Sequence, residues 1–151
     1  MHDLPGSRPR LLLLSSEFPP GPGGVGTHAF QLARHLARLD WDVMVQSPQP
    51  YVSDAERDAF NARQPFTIVP LVDRKAGGGW WLDRLREING AVRSFRPALI
   101  VATGQRALLT AAALHGVYRV PWVAVGHGTE FVDRSFATRQ LIRQAIGSAS
   151  A

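Results

Sequence analysis

Residues 10–39 read RLLLLSSEFPPGPGGVGTHAFQLARHLARL, and this stretch decides the fold. It opens with an unbroken apolar run, Leu11 to Leu14, which is typical of a buried strand when turn signals bound it. A loop rich in glycine and proline follows at 17–26. Next comes a segment whose apolar residues recur at the spacing of one helix face: Ala29, Leu32, Ala33, Leu36 and Ala37. Strand, glycine loop and helix in this order predict a site for a phosphate-bearing ligand, because the helix N-terminus offers free N–H groups and glycine lets a ligand approach the backbone.

The rest of the chain repeats this alternation. Strands are predicted at 11–15, 43–47, 66–72, 99–102 and 120–125, and helices at 26–39, 53–63, 81–96, 105–115 and 135–146. The second helix follows from the capping-box spacing of Ser53 and Glu56, and Gly77 to Gly79 predict a hinge-like break. Strands that alternate with helices predict an α/β fold, a doubly wound Rossmann-like parallel sheet with helices on both faces. Ligands of such sheets bind at the carboxyl ends of strands, so we expect the glycine loop and residues 126–130 to face one cleft.

Composition restricts the class of protein. The 151 residues suffice for one domain and contain no cysteine, which excludes disulfides and thiolate metal sites. Residues 1–9 lack the long apolar region of a signal peptide and are predicted to be a disordered lead-in, which fits a cytoplasmic protein. The net charge is +5, but the arginines are scattered without a run of five like charges. We therefore expect a solvated basic surface and no nucleic-acid partner.

The glycine loop admits two other interpretations. Residues 21–26 match G-x-G-x-x-G, but Phe18 to Pro20 intervene between the first strand and the first glycine of the motif. The second strand ends in Gln46 and Ser47 rather than in an acidic residue. Both features count against a dinucleotide site, which stays open as an alternative. A phosphate loop of the ATPase type needs a lysine after its last glycine. Thr27 follows Gly26 here, so we set an ATPase aside.

Three motifs carry a resemblance to a known family. Glu17-Phe-Pro-Pro20, followed by Gly23-Gly24-Val25-Gly26 and a Leu-Ala-rich helix, resembles the start of family 4 glycosyltransferases, which are retaining enzymes with a GT-B architecture of two facing Rossmann-like domains. The segment from Val123 to Glu130 resembles the strand-then-His-Gly segment of that family. The segment from Pro97 to Thr103 resembles its P-D-(I/V)-(I/V) strand, with Ala98 where an Asp is usual. The resemblance covers about residues 9–151.

The resemblance implies roles for individual residues. His127 matches the active-site histidine near the transferred sugar, and imidazole suits that position because it donates or accepts a hydrogen bond near neutral pH. Donor or acceptor binding is implied for Gly23, Gly24, Gly26, Gly128, Thr129 and Glu130. The co-substrate would be a nucleotide-diphosphate sugar with no other cofactor and no metal requirement, and the histidines show no metal-ligand spacing. Glu17 is expected to hold the proline turn, and His28, His35 and His115 are expected at the surface or in helix packing.

The resemblance also implies what this chain is part of. Residues 10–151 would be the N-terminal, acceptor-side domain of a hexosyltransferase, truncated where a further strand should begin. The C-terminal domain that binds the nucleotide sugar is absent, so the chain alone is expected to be inactive. The alternatives are a nucleotide- or dinucleotide-binding Rossmann module and a non-catalytic half-protein completed by a partner chain. The acceptor would be a sugar or a lipid-linked molecule.

A membrane surface is a further candidate partner. Trp80 and Trp81 precede a basic helix, which is typical of peripheral contact at the cytoplasmic membrane face. An apolar stripe at helical spacing is, however, more often part of a core.

Overall fold

The computed structural model describes residues 7–71, 80–128 and 136–150, in which strands and helices alternate. The strands are β1 (Arg10–Ser15), β2 (Asp42–Ser47), β3 (Thr67–Pro70), β4 (Leu99–Thr103) and β5 (Trp122–Val125). The helices are α1 (Gly24–Arg38), α2 (Asp54–Asn61), α3 (Trp80–Phe95), α4 (Gln105–Tyr118) and α5 (Phe136–Gly147).

The strands form one parallel sheet in the order β3-β2-β1-β4-β5. β1 lies at its centre, where Leu11 pairs with Val43 of β2 on one side and with Leu99 of β4 on the other. A central parallel strand is covered on both faces, which is why its sequence is an unbroken apolar run rather than an alternation. All four leucines of β1 are at most 2% exposed.

Each face of the sheet carries its own apolar cluster. Leu11 and Leu13 pack on the face covered by α1, together with the fully buried Ala29 and Ala33. Leu12 and Leu14 pack on the opposite face with α3 and α4. Helices on both faces confirm the predicted doubly wound, Rossmann-like class.

The apolar stripe of α3 belongs to this second cluster. Ile88 and Val92 are each 3% exposed and pack against the sheet. Ile88 and Val92 therefore belong to the core and are not available to a membrane.

Several predicted bounds are corrected by local backbone geometry. α1 begins at Gly24 rather than Gly26, and α4 continues to Tyr118, where Arg119 takes a left-handed conformation with φ 57°. β5 begins at Trp122 rather than Val120, because Pro121 has no N–H to donate to the sheet. β3 ends at Pro70. The predicted break at Gly77 to Gly79 lies outside the described residues.

Candidate active site

The order of the strands predicts where a ligand binds. The chain moves outward from β1 through β2 to β3, then returns to place β4 against the other side of β1. In open parallel sheets, ligands bind at the carboxyl ends of strands beside such a reversal. The carboxyl ends of β1 and β4 lie side by side, since Ser15 pairs with Thr103 and the N–H of Ser16 donates to the Thr103 carbonyl at 3.1 Å.

His127 stands at this edge of the sheet. It comes two residues after the end of β5, and its Nε2 lies 2.6 Å from the hydroxyl oxygen of Thr103, the last residue of β4. Thr103 is fully buried, whereas His127 is half-buried. A buried hydroxyl that bonds one ring nitrogen fixes the orientation of the imidazole. The structure therefore places the predicted histidine at the carboxyl edge and holds its ring there.

His28 is the neighbour of His127 that sequence reasoning missed. The two rings meet edge to face, with centroids 5.1 Å apart and an interplanar angle of 78°. His28 lies near the start of α1 and is exposed, as predicted for a surface residue. The contact brings the start of α1 and the loop after β5 together at one edge, as expected for the two loops. The only signal in the sequence was its position, four residues after Gly24.

The glycine loop is organised by Glu17. Its Oε1 accepts a hydrogen bond from the N–H of Gly26 at 3.1 Å, so Glu17 ties the loop to the first turn of α1. Its expected role in the proline turn stays a prediction. Gly23 has φ +148°, and a Cβ there would lie 2.6 Å from the Glu17 Cδ. The space that glycine provides at this position is thus filled by the carboxylate. The role of Gly23 in ligand binding stays a prediction.

Gly24 and Gly26 have different surroundings. A Cβ at Gly24 would have no atom within 4 Å, and the residue is exposed at the first position of α1. A Cβ at Gly26 would lie 3.3 Å from the backbone of Glu17 and Phe18, so this buried glycine allows α1 to pack closely against the loop. Ligand binding by either residue stays a prediction, and the geometry favours Gly24.

Two helices begin at this edge with a glycine as the N-cap residue, which has no side chain to cap them. The N-caps are Gly23 for α1 and Gly104 for α4, and neither helix has an acidic residue in its first turn. Gly104 has φ +85°, and a Cβ there would lie 2.7 Å from the Ser16 Cβ, so glycine lets α4 begin close to β1. Helix N-termini favour anions. The Glu17 carboxylate already bonds the Gly26 N–H in the first turn of α1, so the start of α4 is the better candidate for a ligand anion at this edge. Among the described residues, no group of three His, Asp or Glu side chains could hold a metal ion.

Comparison with known proteins identifies the family. Residues 22–150 match the family model described as Glycosyltransferase Family 4. This chain belongs to Glycosyltransferase Family 4. No curated protein sequence matches it significantly.

Solved structures share the fold of this family 4 chain. Sucrose-phosphate synthase from Thermosynechococcus elongatus superimposes with a TM-score of 0.65 at 15% identity, over 92% of this chain and 40% of its own. MurG from Acinetobacter baumannii superimposes with a TM-score of 0.64 at 12% identity, over 95% of this chain and 40% of its own. UDP-GlcNAc 2-epimerase from Methanocaldococcus jannaschii superimposes with a TM-score of 0.59 at 15% identity, over 90% of this chain and 37% of its own. The family 4 chain thus spans about two-fifths of these chains and has the Rossmann-like fold of one half of a GT-B architecture.

The remaining predicted site residues of the family 4 chain follow β5 in the sequence. Gly128 has φ +87°, a conformation that favours glycine, and a Cβ there would meet no atom within 4 Å. Thr129 and Glu130 lie outside the described residues, so the roles predicted for all three stay predictions. None of the described helices is long and apolar enough to cross a membrane.

Proposed function

We propose that this chain is the acceptor-side, N-terminal domain of a glycosyltransferase that moves a hexose from a nucleotide-diphosphate sugar to an acceptor with retention. In that reaction the bond between the anomeric carbon and the diphosphate oxygen breaks and the nucleoside diphosphate leaves. The acceptor hydroxyl passes its proton to the departing diphosphate, and its oxygen bonds to the anomeric carbon on the face that the diphosphate leaves. The placement of His127 at the carboxyl edge, in a family 4 chain, is the observation that carries the proposal.

His127 would hydrogen-bond the sugar as it is transferred. The Thr103 hydroxyl and the His28 ring hold the imidazole in place, so little reorganisation is needed when substrate binds. The start of α4, whose N-cap is Gly104 and whose first turn has no acidic residue, would favour the negative charge that develops on the leaving diphosphate. Both features support a site for an anionic donor.

A second domain of the same protein would bind the nucleotide. The chain spans 37–40% of the solved structures with its fold, which supports a cleft shared between two halves. We therefore expect the isolated chain to be inactive with every nucleotide sugar.

Nucleoside diphosphate release tests the proposal. Two proteins are each incubated with a panel of nucleotide sugars and acceptors. One is the isolated chain, and the other is the longer protein that contains it together with the second domain. We expect release from the longer protein only, and a loss of about 100-fold in His127→Ala, the effect of removing one preorganised hydrogen-bonding group. The matched control is His35→Ala, because His35 is an exposed histidine at the far end of α1.

Three results would contradict the proposal: no release with any donor, release unaffected by His127→Ala, and full activity of the isolated chain. The anomeric configuration of the product, read by proton NMR, tests retention. We expect nucleoside diphosphate release to continue in the presence of EDTA, because the proposed transfer uses no metal ion.

The location of the full protein stays a prediction. We place it in the cytoplasm with an acceptor that is a sugar or a lipid-linked molecule. α3 would provide peripheral contact with the cytoplasmic membrane face through Leu82, which is 44% exposed, and the exposed Arg86 and Arg93. Sedimentation with anionic vesicles should fall when both arginines are changed to Gln, and sedimentation that ignores lipid charge would remove this contact.

A further inference from the structure

A cavity of about 370 Å³ lies between α3, α4 and the carboxyl ends of β1 and β2. Its size lies at the lower end of the range of ligand pockets. Most of its wall is apolar and includes Leu14, Leu71, Leu85, Ile88, Leu109 and Ala113. The cavity lies on the sheet face opposite to α1, and the contacts of His28 and Glu17 do not involve it.

Gln46 brings an amide oxygen to the wall of this cavity, and that oxygen has no hydrogen-bond partner in the described part of the chain. The side chain is only 2% exposed, and its Oε1 accepts no hydrogen bond from any described residue. The hydroxyl oxygen of Ser16, which also lines the cavity, has no partner there either. Buried polar atoms almost always have a hydrogen-bond partner, and leaving one without costs stability. A bound molecule with an O–H or N–H group would supply that partner.

Two arginines face the same cavity from opposite helices. Arg84 comes from α3 and is half-buried, and Arg106 comes from the first turn of α4. None of the described lining residues is acidic. Guanidinium groups recognise carboxylates, phosphates and sulfonates through charge-assisted hydrogen bonds. The described part of the wall therefore brings two guanidinium groups to the cavity, each of which has several N–H donors for an anion.

We infer that this cavity binds an amphipathic anion that carries a hydrogen-bond donor. Its apolar body packs against the leucines, its O–H or N–H group donates to the Gln46 Oε1, and its anionic group binds Arg84 and Arg106. The cavity adjoins the His127 site, because Ser16 donates its N–H to the carbonyl of Thr103. Treating the occupant as the sugar acceptor rests on the proposed function, whereas binding itself does not.

Anilinonaphthalene sulfonate is a suitable probe, since it combines an apolar ring system, one N–H group and one sulfonate. Fluorescence titration of the folded chain should give one saturable site. Gln46→Leu and Arg106→Gln should each weaken binding by about 10-fold, the effect of losing a hydrogen bond that involves a charge or a buried amide. Ala113→Trp, at an exposed wall position, should fill the cavity and abolish the saturable signal.

Matched controls separate the cavity from the rest of the surface. Ala59→Trp on α2 and Arg143→Gln on α5 make the same changes at exposed positions that do not line the cavity, and both should leave the affinity unchanged. The neutral analogue phenylnaphthylamine should bind about 10-fold more weakly to the native chain and should ignore Arg106→Gln.

Specific results would overturn the inference. Saturable binding of the probe that persists in Ala113→Trp would do so, and so would an Ala59→Trp variant that loses as much affinity as Ala113→Trp. The neutral analogue should also not bind the native chain as tightly as the sulfonate does. Probe fluorescence that rises with urea would show that the probe binds unfolded chain. Ala113→Trp decides the outcome even where Gln46→Leu fails to fold. No nucleotide sugar is present in these titrations, so failure here leaves the His127 assay untouched, and failure of that assay leaves this cavity untouched.

Discussion

The hydroxyl of Thr103 fixes the orientation of the His127 ring, and this gives a prediction for a residue that touches no substrate. Thr103→Val keeps the shape of the side chain but removes the oxygen 2.6 Å from Nε2. We expect nucleoside diphosphate release to fall about 10-fold through kcat with little change in KM, because the imidazole loses one hydrogen bond that orients it. Thr103→Ser should restore activity. A valine variant with normal kcat would mean that the ring is held by other contacts.

Gly23 and Gly24 are neighbours whose substitution should have opposite effects. Gly23→Ala places a Cβ against the Glu17 carboxylate at φ +148°, and we expect it to lower the free energy of unfolding by about 1–3 kcal/mol. Gly24→Ala meets no atom within 4 Å and lies in a helix, so it should leave stability unchanged or raise it by up to about 1 kcal/mol. If Gly24 lies against a ligand, the same variant should lose activity. Urea unfolding and the release assay measure the two effects separately.

Sequence reasoning reached His127 but not the residues that hold it. The motif identified the histidine from its flanking glycines. Its partner Thr103 is the last residue of a different strand, 24 positions earlier, and only strand register brings the two together. The register of parallel strands depends on side-chain packing across the whole sheet, which local patterns do not contain. His28 is exposed as predicted, but its contact with the His127 ring was missed for the same reason.

At the scale of single elements, α2 has a complete capping box. The Ser53 hydroxyl accepts from the Glu56 N–H, and the Glu56 carboxylate accepts from the Ser53 hydroxyl at 2.7 Å and from the Ser53 N–H at 3.0 Å. Ser53→Ala should lower the stability of α2 by about 1 kcal/mol. α2 has no fully buried residue, so the loss should appear as faster hydrogen exchange of its own amides. The free energy of global unfolding by urea should fall by the same amount, because the unfolded chain lacks the cap as well.

The capping box also gives α2 a pH dependence. The hydrogen bonds from the side chain and backbone of Ser53 hold the pKa of the Glu56 carboxyl below its usual value. A lowered pKa in the folded state stabilises α2 above the unfolded pKa, and this contribution is lost as the pH falls through the folded pKa. The exchange difference between the native chain and Ser53→Ala should therefore shrink in acid. A difference that is constant down to low pH would place the cap elsewhere.

The existence and order of the described elements could be predicted from the sequence, because each has a strong period and clear stop signals. Their ends were harder to predict. α1 starts at Gly24, two residues before the predicted start at Gly26, because the Glu17 carboxylate accepts a hydrogen bond from the Gly26 N–H in its first turn. Glu17 lies seven residues before Gly24. Such a cap comes from outside the helix, and no pattern within the helix indicates it.

At the scale of the whole molecule, the two faces of the sheet should unfold together. Leu12 and Leu13 are both completely buried but belong to clusters on opposite faces. We expect Leu12→Ala and Leu13→Ala each to lower the free energy of unfolding by about 2–5 kcal/mol through a cavity in its own cluster. Each variant should lower the urea midpoint in a single transition with an unchanged slope. The matched control is Leu39→Ala, because Leu39 is 71% exposed and its loss should change stability by less than about 0.5 kcal/mol. Two separate transitions would show that the faces fold independently.

The central place of β1 has a consequence for synthesis on the ribosome. Leu11 is made early, but its partner Leu99 in β4 is made 88 residues later. At about 5–20 residues per second, β4 emerges roughly 4–18 s after β1. During that interval β1 can pair only with β2, and its other edge presents open backbone groups beside four leucines. The β4-facing edge of β1 is therefore open to aggregation throughout this interval. The segment made between β2 and β4 must not pair with this edge before β4 is made.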